Sequence, residues 1–198
     1  ISESEKFYVE KININGNFNT LEEVIRNNLI IDEGDPFNEI LFNKSVNEIQ
    51  SLGIFKKVKT DIKEGSNQSF KIIDLDVEER PTGEISISAG FGTDGETIGA
   101  GLKENNFLGK GIKLNTNIEL TADSIKGGFI YAKPNFNYSD NTLFTSLKSS
   151  TSDFLSNSGY KTSEIGFSLG TKFEQFQNIF LSPETVSYTH LRAHETAV

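Results

Sequence analysis

Cysteine and tryptophan are both absent from this sequence of 198 residues. Without cysteine the chain has no disulfide framework, no thiol nucleophile and no cysteine-ligated zinc site. Positive charge is also scarce, because 28 acidic residues outnumber 19 basic ones and give a formal net charge of -9. Binding to a nucleic-acid backbone depends on Lys and Arg, so the composition predicts no nucleic-acid partner.

A long apolar run is missing as well, since no stretch of about 18 apolar residues could form a transmembrane helix. A strand of a membrane barrel escapes this test because it alternates lipid-facing and polar residues, which lowers its mean hydropathy. Residues 1–11 contain no basic and apolar signal region, and we expect a preceding segment to be missing. The length and the hydrophobic content of 35% fit one sizeable domain or two small ones.

The first part of the chain has the pattern of a small α/β module. Alternation from Tyr8 to Asn15 predicts a strand that ends in a Gly-Asn turn. A first helix should follow, with Thr20 and Glu23 as a capping box. Its apolar face consists of residues at offsets of three and four, namely Leu21, Val24, Ile25 and Leu29.

A second helix is predicted after Pro36, with Asn38 as its N-cap and Gly53 at its C-terminal end. The inner face of this helix is formed by Phe42, Val46 and Ile49. Two strands then follow, the first near residues 57–62 and the second near residues 70–77. The predicted order is β-α-α-β-β.

Period-two alternation replaces the helical spacing after residues 80–83. One face of the first alternating strand consists of Ile85, Ile87, Ala89 and Phe91, and the other of Ser86, Ser88, Gly90 and Gly92. Further strands are predicted near residues 98–103, 112–121, 125–133, 143–151 and 164–173. Several have the roughly 9–11 residues that cross a bilayer when tilted. The period alone does not separate a membrane barrel from a soluble β-sandwich.

Short motifs distinguish these two architectures. The first part of the chain contains GN at Gly16-Asn17, EEVI at Glu22–Ile25, EGDPFN at Glu33–Asn38 and LGIF at Leu52–Phe55. The second part contains RPTG at Arg80–Gly83, the glycine-rich strand and NFLGKG at Asn106–Gly111, with a looser match of PNF at Pro134–Phe136. In this order the motifs resemble the BamA family of outer-membrane assembly factors, in which a POTRA domain precedes a β-barrel.

This resemblance implies an α+β POTRA domain (β-α-α-β-β) at residues 1–80. It further implies antiparallel transmembrane β-barrel strands at residues 81–186, too few to complete a barrel. Residues 187–198 depart from the alternation, and SYTHLRAHET at Ser187–Thr196 is similar to a translated sequencing adapter. We expect this tail to be non-native, so His190 and His194 within it predict no metal site and no proton shuttle.

Two candidate sites follow from the resemblance. The first barrel strand would be a lateral gate that pairs weakly with the last strand, and it comprises Glu84, Ile85, Ser86, Ile87, Ser88, Ala89, Gly90, Phe91 and Gly92. The second is a lysine-rich POTRA strand that comprises Lys56, Lys57, Val58, Lys59, Thr60, Asp61 and Ile62. Its lysines, with Lys63, either discourage unwanted strand pairing or belong to an edge that accepts an extended client or partner.

No enzyme is predicted, and no cofactor. Gly90, Gly92 and Gly95 match the G-x-G-x-x-G dinucleotide pattern, but that site needs a following helix and the next residues alternate as a strand. The paired acids at 22–23 and 78–79 point in different directions and cannot converge on one substrate atom. Serine nucleophiles would lack a histidine base outside the tail.

The resemblance implies a fragment of a factor that recognises, folds and inserts β-barrel proteins into the outer membrane. Its expected partners are unfolded outer-membrane proteins, accessory assembly lipoproteins and outer-membrane lipid. The barrel strands would lie in the outer membrane and the POTRA domain in the periplasm. Two alternatives stay open, a related POTRA-barrel transporter (TamA-like or a two-partner secretion pore) and a soluble periplasmic binding module with a β-sandwich.

Overall fold

A computed structural model describes residues 6–92, 95–155, 159–176 and 179–194. The backbone groups into two compact units. The first unit contains residues 1–82 together with the turn Leu108–Gly111, and the second contains residues 83–107 and 112–198.

The first unit has a three-stranded sheet and two helices. Its elements are β1 (Tyr8–Asn15), α1 (Glu22–Arg26), α2 (Glu39–Ser51), β2 (Phe55–Glu64) and β3 (Phe70–Glu79). The strand order is β1-β3-β2, in which β3 is parallel to β1 and antiparallel to β2. This confirms the predicted β-α-α-β-β order.

Two hydrophobic clusters form the core between the sheet and the helices. One consists of Ile25, Ile49, Ile54, Phe55, Leu75 and Val77, and the other of Val9, Ile12, Ile31, Phe42 and Ile73. The predicted inner face of α2 lies here, with Val46 partly buried at the margin. The predicted face of the first helix is confirmed only in part, because Ile25 is buried and Val24 packs against the core, whereas Leu21 is 46% exposed and Leu29 follows the helix. Burial of each such large side chain contributes roughly 1.5–3 kcal/mol.

The ends of the helices agree only in part with those predicted from the sequence. Asn38 caps α2 as predicted, since its side-chain oxygen accepts from the amides of Ile40 (2.9 Å) and Leu41 (3.1 Å). Gly53 follows α2 with a φ of +70°, the left-handed conformation that ends many helices. The capping box is wrong, because α1 has Leu21 as its N-cap and no side-chain cap hydrogen bond.

The second unit is a sheet of consecutive antiparallel strands. They are β4 (Gly83–Gly92), β5 (Gly95–Phe107), β6 (Ile112–Thr121), β7 (Ser124–Lys133), β8 (Thr142–Phe154), β9 (Tyr160–Phe176), β10 (Ile179–Leu181) and β11 (Glu184–His194). A short 3-10 helix at Phe136–Tyr138 follows β7. Because β10 and β11 pair with successive parts of β9, the described residues of this sheet occupy seven strand positions where the sequence indicated six.

One face of this sheet is apolar and exposed. Many of its large side chains are 40–87% exposed, namely Ile85, Ile87, Phe91, Ile98, Leu102, Ile118, Leu120, Ile125, Phe129, Leu147, Ile165, Phe167 and Leu169. The described strands of this unit belong to one continuous ladder of pairs. A sandwich would bury such a face between two stacked sheets, so the soluble β-sandwich alternative is wrong.

The alternation of the sheet is reversed over residues 185–189 of β11. There Val186 and Tyr188 lie opposite Ser168 and Gly166 on the polar face, while Thr185, Ser187 and Thr189 lie on the apolar face. The next residues return to the pattern, since Leu191 lies on the apolar face. The non-native origin of residues 187–198 stays a prediction, and residues 195–198 lie outside the described ranges.

Candidate functional site

The predicted gate strand lies at an edge of the second sheet. Within the described residues, β4 pairs only with β5, so its other side has no strand partner. All ten residues of β4 are exposed, and Ile85, Ile87 and Phe91 are 79%, 82% and 87% exposed. The edge therefore presents both unpaired backbone groups and uncovered apolar side chains.

Glycines of β5 lie directly opposite the serines of β4. Ser86 pairs with Gly101 and Ser88 with Gly99. A Cβ atom added to Gly101 would lie 2.7 Å from the Ser86 Oγ, and one added to Gly99 would lie 2.6 Å from the Ser88 Oγ. On the polar face, β4 is thus attached to its neighbour mainly by backbone hydrogen bonds, with few side-chain contacts.

A row of alternating glycines crosses the polar face at this level. In register from β4 to β11, the row reads Ser86, Gly101, Asn117, Gly128, Lys148, Gly166 and Tyr188. Each larger side chain is flanked by a glycine on the next strand, and the Tyr188 ring covers the position where a Gly166 side chain would be. Sequence reasoning missed this row because it depends on the register of every strand pair.

The lysine-rich strand β2 is an edge of the three-stranded sheet, where it pairs with β3. Lys56 bonds to Glu78 at 2.8 Å, and this bond raises the pKa of the lysine and lowers that of the carboxyl. Lys63 likewise pairs with Asp74, which lowers the pKa of Asp74. Neighbouring acids therefore neutralise part of the positive charge of this edge.

Lys57 and Lys59 form no ion pair within the described part of the chain, although both lower the pKa of Glu78 through their charge. They are exposed. The structure thus brings β2 to an edge, as both interpretations of the lysines require, and the choice between those interpretations stays open.

The glycine motif Gly90, Gly92 and Gly95 lies at the junction of two strands. Gly90 and Gly92 end β4 and Gly95 begins β5, so a strand and not a helix follows the glycine motif. Residues 93 and 94 of the predicted hairpin turn lie outside the described ranges. Among the residues that the structure describes, no cluster of three or more His, Asp or Glu could hold a metal, and no helix is long and apolar enough to cross a membrane.

Comparison with known proteins supports both halves of this architecture. The POTRA family, described as a surface antigen variable number repeat, matches residues 7–80. An outer membrane protein assembly factor BamA of Neorickettsia risticii (strain Illinois) is 33% identical over 112 residues, which are 56% of this chain and 15% of that protein. The crystal structure of BamA from Haemophilus ducreyi lacking POTRA domains 1–3 matches with a TM-score of 0.79 and 23% identity, over 93% of this chain and 36% of that one. The chain is BamA-like.

This BamA-like chain combines a POTRA domain with antiparallel strands of the barrel type, and its sheet is open. The fold extends to CdiB from Acinetobacter baumannii, with a TM-score of 0.65, 13% identity and coverage of 95% of this chain and 39% of that one. The chain spans only about 15% of the length of its curated BamA relative. The curated relatives that it matches are named as outer membrane protein assembly factors.

Proposed function

We propose that this chain is part of an outer-membrane assembly factor that recognises β-barrel proteins, folds them and inserts them into the outer membrane. The observation that carries the proposal is the composition of β4, a strand of small residues in which Ser86 and Ser88 lie opposite Gly101 and Gly99 of β5. The family resemblance supports it, since the matched curated relatives are named as outer membrane protein assembly factors. The proposed mechanism involves no enzymatic step and no cofactor.

The physical reason is the cost of an unpaired backbone in lipid. Each unsatisfied N–H or C=O in the bilayer interior costs several kcal/mol, so a nascent barrel must keep its strand edges paired while it grows. The side of β4 that faces away from β5, from Glu84 to Gly92, is the proposed lateral gate and would offer such a client a template edge. The serines and glycines of β4 itself limit its side-chain packing, so its separation from the last strand would need little rearrangement.

The second proposed contact is the POTRA edge from Lys56 to Ile62, where an extended client or an accessory assembly lipoprotein would add a strand to β2. Outer-membrane lipid would cover the apolar face of the second sheet. The proposed domain limits are residues 1–80 for the POTRA domain, 81–186 for the barrel strands and 187–198 for a non-native tail.

Cysteine crosslinking in the full-length protein tests the gate. Ser86→Cys and Ser88→Cys should each form a disulfide with a cysteine in a client stalled during assembly. The matched control is Ser150→Cys, because Ser150 is in register with Ser88 on the polar face but belongs to the central strand β8. Adducts at β4 without adducts at Ser150 support the gate, whereas no adduct along β4, or equal adducts at both strands, contradicts it.

A related POTRA-barrel transporter is the second candidate, because the likeness to CdiB shows that the fold is not confined to BamA proteins. A transporter would leave its substrate outside the membrane, whereas an assembly factor would leave it inserted as a folded barrel. The number of POTRA domains in the complete gene, and the fate of the crosslinked client, separate the two functions.

A further inference from the structure

One contact in the first unit is independent of the proposed gate. The segment Asn17–Leu21 connects β1 to α1, and it is held by the carboxylate of Glu79 at the end of β3. This carboxylate accepts from the Thr20 amide at 2.7 Å, the Asn19 amide at 3.1 Å and the Asn19 side chain at 2.8 Å. The Asn17 side chain closes the segment by donating to the Thr20 carbonyl at 3.1 Å.

The turn Leu108–Gly111 belongs to the same compact unit. The Leu21 amide donates to the Gly109 carbonyl at 2.8 Å. Gly109 and Gly111 are buried, although Lys110 between them is exposed. Two glycines of the NFLGKG motif, to which the proposed function gives no role, therefore lie against the segment Asn17–Leu21.

The approach of Gly109 is too close for any side chain. A Cβ atom on Gly109 would overlap the carbonyl oxygen of Asn19, and one on Gly111 would lie 3.0 Å from the Val24 Cγ1. A left-handed backbone does not by itself produce such a close approach. Gly95 has a similar φ of +92°, yet a Cβ atom added to it would have no atom within 4 Å. Gly109 thus meets two requirements, a φ of +71° and direct backbone contact.

We propose that the segment Asn17–Leu21 is a docking site for the glycine turn Leu108–Gly111, and that Glu79 is the positioning residue that holds this site in its docking form. The site recognises backbone rather than side chains, so its partner must be a left-handed turn with glycine at its centre. Glu79 acts through the segment, because its bonds are to Asn19 and Thr20 while the turn is bound by the Leu21 amide.

Amide hydrogen exchange of the full chain tests this docking. Gly109→Ala should raise the exchange rate of the Leu21 amide by about tenfold, the effect of losing one hydrogen bond. The Asn19 and Thr20 amides should stay protected in this variant because Glu79 still binds them. Gly95→Ala is the matched control, with the same strain in open space, and should leave all three amides unchanged. Equal exchange of Leu21 in both variants would contradict the docking.

The role of Glu79 is tested in the same measurement by Glu79→Gln. All three amides should exchange faster, while the β2–β3 ladder stays protected and shows that the fold is intact. In the double variant with Gly109→Ala, Leu21 should exchange no faster than in Gly109→Ala alone, because the docking is already lost. Additive rates at Leu21, or unchanged Leu21 protection in Glu79→Gln, would contradict a positioning role.

Discussion

At the scale of single residues, the Glu79 carboxylate joins the sheet of the first unit to the segment before α1. It lies at the end of β3 and accepts hydrogen bonds from the amides of Asn19 and Thr20, which are about 60 residues earlier in the chain.

The Glu79 carboxylate makes the stability of the POTRA domain depend on pH. Partial burial raises its pKa, but the hydrogen bonds from Thr20 and Asn19 lower it more, so the folded pKa lies below the ordinary value of 4.5. A lowered carboxyl pKa contributes stability that is present above 4.5 and is lost as the pH falls through the folded pKa. The pKa values of Asp74 and Glu78 are also lowered, so their contributions to stability depend on pH in the same direction.

Urea unfolding of the chain and its Glu79→Gln variant between pH 7 and pH 3 measures this dependence. The variant should be less stable at pH 7, and the difference should shrink as the pH falls. Asp74 and Glu78 are present in both proteins, so their contribution cancels in the difference. A difference that is constant over this range would contradict the assignment.

The Asn38 cap should contribute about 1 kcal/mol to the stability of the POTRA domain. Asn38→Ala removes the acceptor for the Ile40 and Leu41 amides and should lower the free energy of unfolding by this amount. Asn47→Ala is the control, because Asn47 is exposed within α2 and alanine favours helix there. Denaturant midpoints at pH 7 would check both changes, and equal losses would contradict the cap.

At the scale of elements, the helices and strands were predictable because their apolar residues repeat with different periods. Helical spacing ends near Ser51 and strict alternation begins after residue 83, and the structure follows both. The glycine row was not predictable, because each pair in it depends on the register between two strands. Gly101 and Gly128 acquire a common role only once β5, β6 and β7 are aligned.

Swapping the serine and the glycine of one Ser-Gly pair tests the register of β4, the proposed gate strand. Gly99→Ser places a Cβ atom 2.6 Å from the Ser88 Oγ and should weaken the β4–β5 ladder by about 1–3 kcal/mol. Adding Ser88→Gly should restore it, since the pair then has one side chain again. Hydrogen exchange of the β4 amides measures both changes.

Gly90→Ala is the control for this residue swap, because no atom lies within 4 Å of a Cβ atom added to Gly90. It should leave the β4 amides as protected as in the unchanged chain. Two results would contradict the direct pairing of Ser88 with Gly99. Either Ser88→Gly fails to restore protection of the β4 amides, or Gly90→Ala lowers that protection as much as Gly99→Ser does.

At the scale of the whole molecule, the open sheet should not form a complete pore. The part of the chain that the structure describes has seven strand positions, and bacterial barrels have at least about eight strands. The chain reconstituted in planar bilayers should therefore show no stable single-channel conductance, whereas the full-length protein serves as the positive control. A monomeric chain with stable conductance would contradict an incomplete barrel.

The chain order of the motifs was sufficient to predict this architecture, because a POTRA pattern precedes barrel-like strands. The sheet edges were not derivable from composition, since only the pairing shows that β4 and β2 lie at edges. The assembly function depends on whether the exposed apolar face of the second sheet contacts lipid.

Quenching by brominated lipid along β6 tests that contact most directly. A fluorescent label would be attached to single cysteines from Leu114 to Leu120 in the full-length protein, reconstituted in lipid vesicles. Labels at 114, 116, 118 and 120 should be quenched strongly and those at 115, 117 and 119 weakly, because alternate residues of a barrel strand face lipid. Weak quenching at every position, or no period of two, would contradict the membrane sheet and the proposed function that depends on it.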